Sequence, residues 1–183
     1  HRRGVSAIAA KAKVTDWDSA IKQPFDWYAI DCLDNDLFFA PPFDPETIDI
    51  YGFSLCGHLS EVAKRIEASR RILDLEDNWD DEGSIAYDEA TWRAAVQIVV
   101  DSANAYWDST QQVAPVPAIS PGPDGSIDVT WRVGRRQVLI NVPPAGEGPA
   151  VFSGLDAEDK DRSVEGRIGT DKNQEWLLTW LTK

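Results

Sequence analysis

Cysteines and long apolar segments are scarce in this sequence. Its two cysteines, Cys32 and Cys56, are too few for a disulfide framework or a zinc knuckle, so we expect free, buried thiols in a reducing cytoplasm. No apolar stretch approaches the roughly 20 residues that a membrane-spanning helix needs, so no membrane contact is predicted. The start of the sequence is basic and rich in alanine but lacks a long apolar segment with a cleavage site, so we predict no signal peptide.

Basic residues are also few. The sequence has 18 lysines and arginines and 31 aspartates and glutamates, which gives a net charge of −13. A nucleic-acid binder needs a basic surface to displace counterions, so direct contact with nucleic acid is not expected. An acidic protein is suited to a basic protein partner, and toxins and nucleases are partners of this kind. A length of 183 residues with 43% hydrophobic residues is sufficient to bury a core without disulfides or metals.

The first 52 residues differ in composition from the rest. Prolines at 41, 42 and 45 prevent one long helix there, and aromatic residues are interleaved among the acidic ones. We predict an acidic, aromatic and irregular N-terminal extension over residues 1–52 and a core domain over residues 53–183. Aromatic side chains within a charged surface are typical of interface anchors, although they could instead cover the protein's own core. The predicted partner-binding residues are Trp17, Trp27, Tyr28, Asp34, Asp36 and Phe39, together with Asp81 and Glu82 of a later loop.

Periodicity in the core domain predicts helices first and strands afterwards. Apolar residues recur at intervals of three and four over residues 57–75 and 88–107, which indicates two amphipathic helices, with Asp88 as the N-cap of the second. A further short amphipathic helix is predicted at the C-terminus, with Trp176, Leu177, Trp180 and Leu181 on one side. This order indicates an α+β fold in which a two-helix pair packs on a small antiparallel sheet.

The predicted strands lie in the second half of the chain. The proline-rich segment 108–125 is predicted to be an extended connection. Alternating apolar residues over 127–142 predict a β-hairpin that turns near Gly134. A third strand is predicted at 150–153, and the charged segment 154–171 is predicted to be a loop.

The loop "LEDNWDDEGSIAYDE" at residues 75–89 separates the two predicted helices and could bind calcium. Aligned with the twelve-residue calcium loop, it places oxygen-bearing side chains at alternate positions and a glutamate at the last one. The ligands of this single, degenerate EF-hand-like site would be Asn78, Asp80, Glu82, Ser84 and Glu89. Against calcium are asparagine at the first position, glutamate at the fifth, and the lack of a second loop. No cofactor is therefore predicted, and calcium remains an alternative.

Carboxylates grouped in one loop could also perform acid–base catalysis if one of them were desolvated. However, His58 has no evident catalytic partner, and the segment "SLCGH" around it matches no nucleophile motif. Acidic residues that cluster in sequence need not converge in a pocket. We therefore predict no catalytic residue and a protein that is not an enzyme.

Two stretches, "LEDNWDDEGSIAYDEATWRAAVQIV" and "VPAISPGPDGSIDVTWRVGRRQVLINV", resemble a group of small bacterial proteins. Their pattern is Leu-x-x-Asn-Trp-Asp-Gly-x-Gly-Ala, a helix, Pro-x-Ile-x-Pro-x-Pro-Asp-Gly, and a strand that ends in Glu-Trp. The matching residues are Leu75, Asn78, Trp79, Asp80, Gly83, Pro117, Ile119, Pro121, Pro123, Asp124, Gly125 and Trp131. The sequence departs from the pattern at Asp81, Ser84 and Thr130. The resemblance covers about residues 60–142 and implies an antitoxin-like or defence-accessory role, without an active site.

The resemblance also suggests that the loop is a structural joint. Asn78 and Asp80 would brace its turn through bonds from side chain to backbone, and Gly83 would supply an unusual backbone angle. Trp79 would fill the gap between the helices and the sheet, so that its replacement by alanine would cost a few kcal/mol.

The favoured function is a non-enzymatic, acidic protein-binding module. It would be antitoxin-like or immunity-like, or an accessory subunit of a bacterial or phage defence complex. One alternative is an acidic mimic of nucleic acid that inhibits a DNA- or RNA-binding enzyme. Another is local contact with a nucleic-acid backbone through two basic patches. Their residues are Lys64, Arg65, Arg70, Arg71, Arg132, Arg135 and Arg136.

Overall fold

The computed structural model describes residues 46–169 and 175–183. Of the predicted N-terminal extension it describes residues 46–52 only. The following predicted residues therefore lie outside the described ranges: Trp17, Trp27, Tyr28, Cys32, Asp34, Asp36 and Phe39.

The described chain has an α+β fold. In chain order its elements are β1 (Ile48–Ile50), β2 (Phe53–Leu55), α1 (Ser60–Ser69), α2 (Glu89–Thr110), β3 (Ala118–Pro121), β4 (Ile127–Val133), β5 (Arg136–Val142), β6 (Val151–Asp156), β7 (Val164–Arg167) and α3 (Glu175–Thr182). Strands β3 to β7 form an antiparallel sheet in their order along the chain, and β1 pairs with β2 in a separate hairpin. Because each strand of the larger sheet lies beside the next one in sequence, short connections suffice throughout.

Both predicted internal helices are present, and the capping prediction is confirmed. The Asp88 carboxylate accepts a hydrogen bond of 2.8 Å from the Ala90 amide at the start of α2, which satisfies one of the free amides of the first turn. Helix α1 is shorter than predicted, because the 3-10 turns Gly57–Leu59 and Arg70–Asp74 flank it. The indole N–H of Trp92 in α2 donates to the Ser69 hydroxyl at the end of α1 over 3.0 Å.

The alternation that predicted the β4–β5 hairpin reflects one buried face. Ile127, Val129 and Trp131 of β4 lie opposite Val142, Ile140 and Val138 of β5. All of these side chains are buried, because α2 and α3 pack on that face of the two strands. Two edge strands were missed, however. Segment 108–125 contains β3, and segment 154–171 contains the end of β6 and all of β7.

Edge strands leave a weak signal in sequence for a physical reason. Backbone hydrogen bonds to one neighbour hold such a strand, so its side chains need not be apolar, and proline or charge on it discourages pairing with another chain. Strand β3 ends in Pro121, and β7 exposes Glu165 and Arg167. Residues of this kind are typical of loops as well, so local sequence does not distinguish the two.

Helix α3 closes one side of the core. Leu177, Leu178 and Leu181 are buried. Trp176, which was predicted on the same side, is 40% exposed and meets the Phe152 ring edge-on, with 5.6 Å between the ring centroids. Within the described ranges, no helix combines the length and the apolar composition that crossing a membrane would require.

A buried ion pair joins the sheet to α3. The guanidinium Nε of Arg136 lies 2.9 Å from Oδ2 of Asp156, and another N–H of the same guanidinium donates to the Trp180 carbonyl. The prediction that Arg136 belongs to an exposed basic patch is wrong, since only 7% of the residue is exposed. Arg136 and Val138 are two residues apart on β5, so their side chains lie on the same face of the sheet. That face is the one that the helices cover.

Candidate binding groove

The loop between α1 and α2 is braced by its own side chains, as predicted. The Asn78 side-chain oxygen accepts a hydrogen bond from the Gly83 amide over 2.9 Å. One oxygen of Asp80 accepts from the amides of Glu82 and Ser84 at 3.0 and 3.2 Å, and its other oxygen accepts from the Ser84 hydroxyl. The bond from Ser84 is the main reason why the pKa of Asp80 is lowered from its ordinary value, so Asp80 is ionised at neutral pH.

Left-handed backbone angles wind this segment into a tight turn. The φ angles are +62° at Asn78, +61° at Asp81 and +93° at Gly83. Asparagine and aspartate tolerate the left-handed region better than other residues with a side chain, and glycine adopts it without steric penalty. The predicted unusual angle at Gly83 is therefore confirmed.

The loop packs against the turn that follows β3. The Tyr87 hydroxyl donates to the Gly122 carbonyl over 2.7 Å, and the side chain of Ile85 lies against Gly125. A Cβ atom added to Gly125 would come within 3.0 Å of Ile85 Cδ1, and the φ angle there is +74°, so a glycine suits both the space and the backbone. The loop in the first stretch of the resemblance and the turn in the second, which lie on either side of α2 in sequence, thus meet in space.

An open groove of about 340 Å³ lies between the loop and the turn. We call it the Trp79 groove. Its walls are Trp79, Asp80, Glu82, Gly83, Ser84, Pro121, Gly122, Pro123 and Asp124.

Trp79 is exposed in this groove rather than buried beneath it. The side chain is 40% exposed, so the prediction that it fills a gap between helices and sheet is wrong. Tyr87, which is 7% exposed, is the buried aromatic residue of the loop. The centroids of the two rings are 6.4 Å apart.

The charged residues that line the groove are all acidic. Asp80 and Glu82 come from the loop, and Asp124 comes from the opposite turn. No lysine, arginine or histidine of the described ranges lines the groove, and no salt bridge within those ranges involves Glu82 or Asp124. The groove therefore combines a negative potential with the apolar surfaces of Trp79 and two proline rings.

The described ranges contain no preformed set of side-chain ligands for the alternative that the loop binds calcium. No group of three or more histidine, cysteine, aspartate or glutamate side chains there is placed to hold a metal ion. The oxygens of Asn78 and Asp80 already accept hydrogen bonds from the loop, and Glu89 lies on α2, 3.8 Å from the Arg93 guanidinium. Calcium binding stays an alternative to the prediction of no cofactor.

Replacing Asp80 with alanine should loosen the loop without unfolding the protein. Amide hydrogen exchange at Glu82 and Ser84 should become roughly tenfold faster, because both amides lose a charged acceptor. The midpoint of thermal unfolding should stay close to that of the wild type. Asp81→Asn is the matched control, since asparagine tolerates the φ of +61° and Asp81 accepts no bond from these amides. Equal acceleration in both variants would contradict the bracing role.

Of the two acidic loop residues predicted to bind a partner, only Glu82 lines the Trp79 groove. Tyr87 and the turn around Pro123 were missed as parts of the site, because only the fold brings them to the loop. Searches with known protein-family models, curated proteins and solved structures find no match to this chain.

Proposed function

We propose that this chain is a non-enzymatic protein-binding module that docks on a basic segment of a partner protein through the Trp79 groove. A half-exposed indole in a groove whose charged residues are all acidic carries this proposal. Tryptophan is among the residues most often responsible for binding energy at protein interfaces. Carboxylates around such an anchor attract a basic surface and select against an acidic one.

The hydrogen bonds that hold both walls of the groove support the same function. Bonds to Asn78 and Asp80 hold the loop, and the bond from Tyr87 to Gly122 holds the opposite turn against it. A site that is already ordered loses little conformational entropy when a partner binds. The net charge of −13 adds long-range attraction toward a basic protein.

We further propose an antitoxin-like, immunity-like or defence-accessory role in the cytoplasm, with a basic toxin or nuclease as the partner. The resemblance to small bacterial proteins supports this setting. The proposal includes a two-helix pair, α1 and α2, on the sheet. The bond between Trp92 and Ser69 supports that pairing, and the pair would position the two ends of the loop.

Site-specific photo-crosslinking in the cells that produce the protein tests the proposal. A photoreactive amino acid replaces Glu82 in the full chain, and the matched control replaces Glu147, an exposed acidic residue between β5 and β6. We expect irradiation to give a covalent adduct with a basic protein at position 82 and little at position 147. Mass spectrometry of the adduct identifies the partner. Adding Trp79→Ala to the Glu82 probe should reduce the yield several-fold, since the anchor is lost.

Two results would refute the proposal. One is the absence of any protein adduct at position 82. The other is an equal yield at positions 82 and 147, which would show contact with the acidic surface in general rather than with the Trp79 groove.

A further inference from the structure

We infer that the group recognised in the Trp79 groove is the guanidinium of an arginine side chain presented by the partner. This inference deepens the proposed function and rests on it. The exposed indole, the two prolines and the carboxylates that line the groove support arginine over lysine.

The groove has the size and openness suited to one side chain. Its volume of about 340 Å³ is near the lower end of the range for ligand sites, roughly 300 to 1,000 Å³. It opens to solvent between the loop and the turn, so a long side chain can enter while its backbone stays outside. A small molecule that needed enclosure on all sides would remain largely exposed there.

The flat apolar surfaces favour a planar cation. Trp79 presents an indole that is 40% exposed, and Pro121 and Pro123 lie on the opposite wall. Guanidinium is planar and weakly hydrated and stacks on aromatic faces, whereas the ammonium of lysine is compact and strongly hydrated. A cation over a tryptophan face is the most favourable of the cation–aromatic pairings.

The chain's own arginines make contacts of this kind. The Arg70 guanidinium lies 4.8 Å from the centroid of the Tyr51 ring and 5.5 Å from that of Trp92. That of Arg136 lies 5.1 Å from the centroid of Trp180. By contrast, no arginine or lysine of the described ranges lies over the ring of Trp79.

The carboxylates are placed to receive a group with several donors. Glu82 lies on the loop wall and Asp124 on the turn wall, and neither takes part in a salt bridge in the described ranges. A guanidinium carries five N–H donors arranged in a plane, so it can reach acceptors on two sides while it stacks. An ammonium attracts the same carboxylates but lacks the planar arrangement.

Titration of the ¹⁵N-labelled full chain with three peptides tests the inference. Each peptide is acetylated and amidated and has the sequence Gly-Gly-X-Gly-Gly, with X as arginine, lysine or citrulline, the neutral analogue of arginine. The readout is the indole N–H signal of Trp79, assigned by its loss in Trp79→Phe. We expect saturable shifts with the arginine peptide, roughly fivefold or more weaker binding of the lysine peptide, and no shift with citrulline.

Variants locate the binding. Glu82→Gln and Asp124→Asn should each weaken the arginine peptide several-fold, and Glu147→Gln should not. Equal binding of the arginine and lysine peptides would overturn the arginine assignment. So would binding of citrulline as tight as that of arginine, or binding that neither groove variant weakens, or no shift with any peptide. The crosslinking result at position 82 is independent of these outcomes, so the proposed function stands or falls separately.

Discussion

Replacing Arg136 with alanine is expected to lower the free energy of unfolding by about 3 to 5 kcal/mol. The residue is 7% exposed and binds both the Asp156 carboxylate and the Trp180 carbonyl. Alanine would leave the carboxylate partnered mainly by Arg135, whose Nε lies 3.2 Å from it, and would leave a helix carbonyl without that donor. Urea unfolding followed by circular dichroism measures the loss.

Arg132→Ala is the matched control. Arg132 is an exposed residue of β4 whose guanidinium donates to the Gln137 side chain, so its removal should change stability by about 0.5 kcal/mol or less. Similar losses in the two variants would show that Arg136 does not hold α3 to the sheet.

The fall in the free energy of unfolding at acid pH gives a second test of the pair formed by Arg136 and Asp156. The hydrogen bond from Arg136 is the main reason why the pKa of Asp156 is lowered from its ordinary value of 3.8. A lowered folded pKa means that this carboxylate stabilises the fold above the ordinary value, and that the contribution disappears as the pH falls through the folded pKa. The wild type should therefore lose stability below about pH 4, and Asp156→Asn should lose less over the same interval.

Replacing Trp92 with alanine is expected to destabilise the protein by about 3 to 5 kcal/mol. The side chain is fully buried, meets the Tyr51 ring edge-on at 5.4 Å and donates to Ser69. Alanine would leave a cavity beside Tyr51 and Ser69. It would also remove the indole donor from the Ser69 hydroxyl, which would keep its bond to the Ile66 carbonyl. Guanidinium chloride unfolding should show a lower midpoint, with a denaturant dependence close to that of the wild type.

Trp79→Ala is the matched comparison, because it also removes a tryptophan side chain, but one that is exposed in the Trp79 groove. Its cost should be about 1 kcal/mol or less, since 40% of the residue is already exposed and no tightly packed cavity forms. This expected cost is smaller than the few kcal/mol that the sequence alone suggested for Trp79→Ala. A larger loss for Trp79→Ala than for Trp92→Ala would mean that the assignment of buried and exposed tryptophans is reversed.

The helices and the central hairpin were predictable because their signal is local. The apolar stripe of α2 and the alternation in β4 and β5 follow from the geometry of helix and strand, whichever element covers them. Edge strands β3 and β7 were not predictable. Backbone hydrogen bonds to a neighbouring strand hold them, and their side chains are of the types that loops also contain. The burial of Arg136 could have been predicted, because Arg136 and Val138 lie on the same face of β5. Its charge suggested an exposed side chain instead.

The candidate site divides in the same way. Asn78, Asp80 and Gly83 could be assigned from sequence, because asparagine, aspartate and glycine stabilise tight turns by contacts within a few residues. The exposure of Trp79 could not be assigned, since an indole in a tight turn can point to either side of it.

By itself the sequence determined the α+β class, the capped helix α2, the braced loop and the acidic character of the protein. Each of these depends on composition or on contacts between residues close in the chain. Only the tertiary structure decided that Tyr87 is buried while Trp79 is exposed, that Arg136 pairs with Asp156, and that Asp124 and Glu82 line the same groove. These features join residues from separate elements, and their distances depend on how the sheet and the helices pack together.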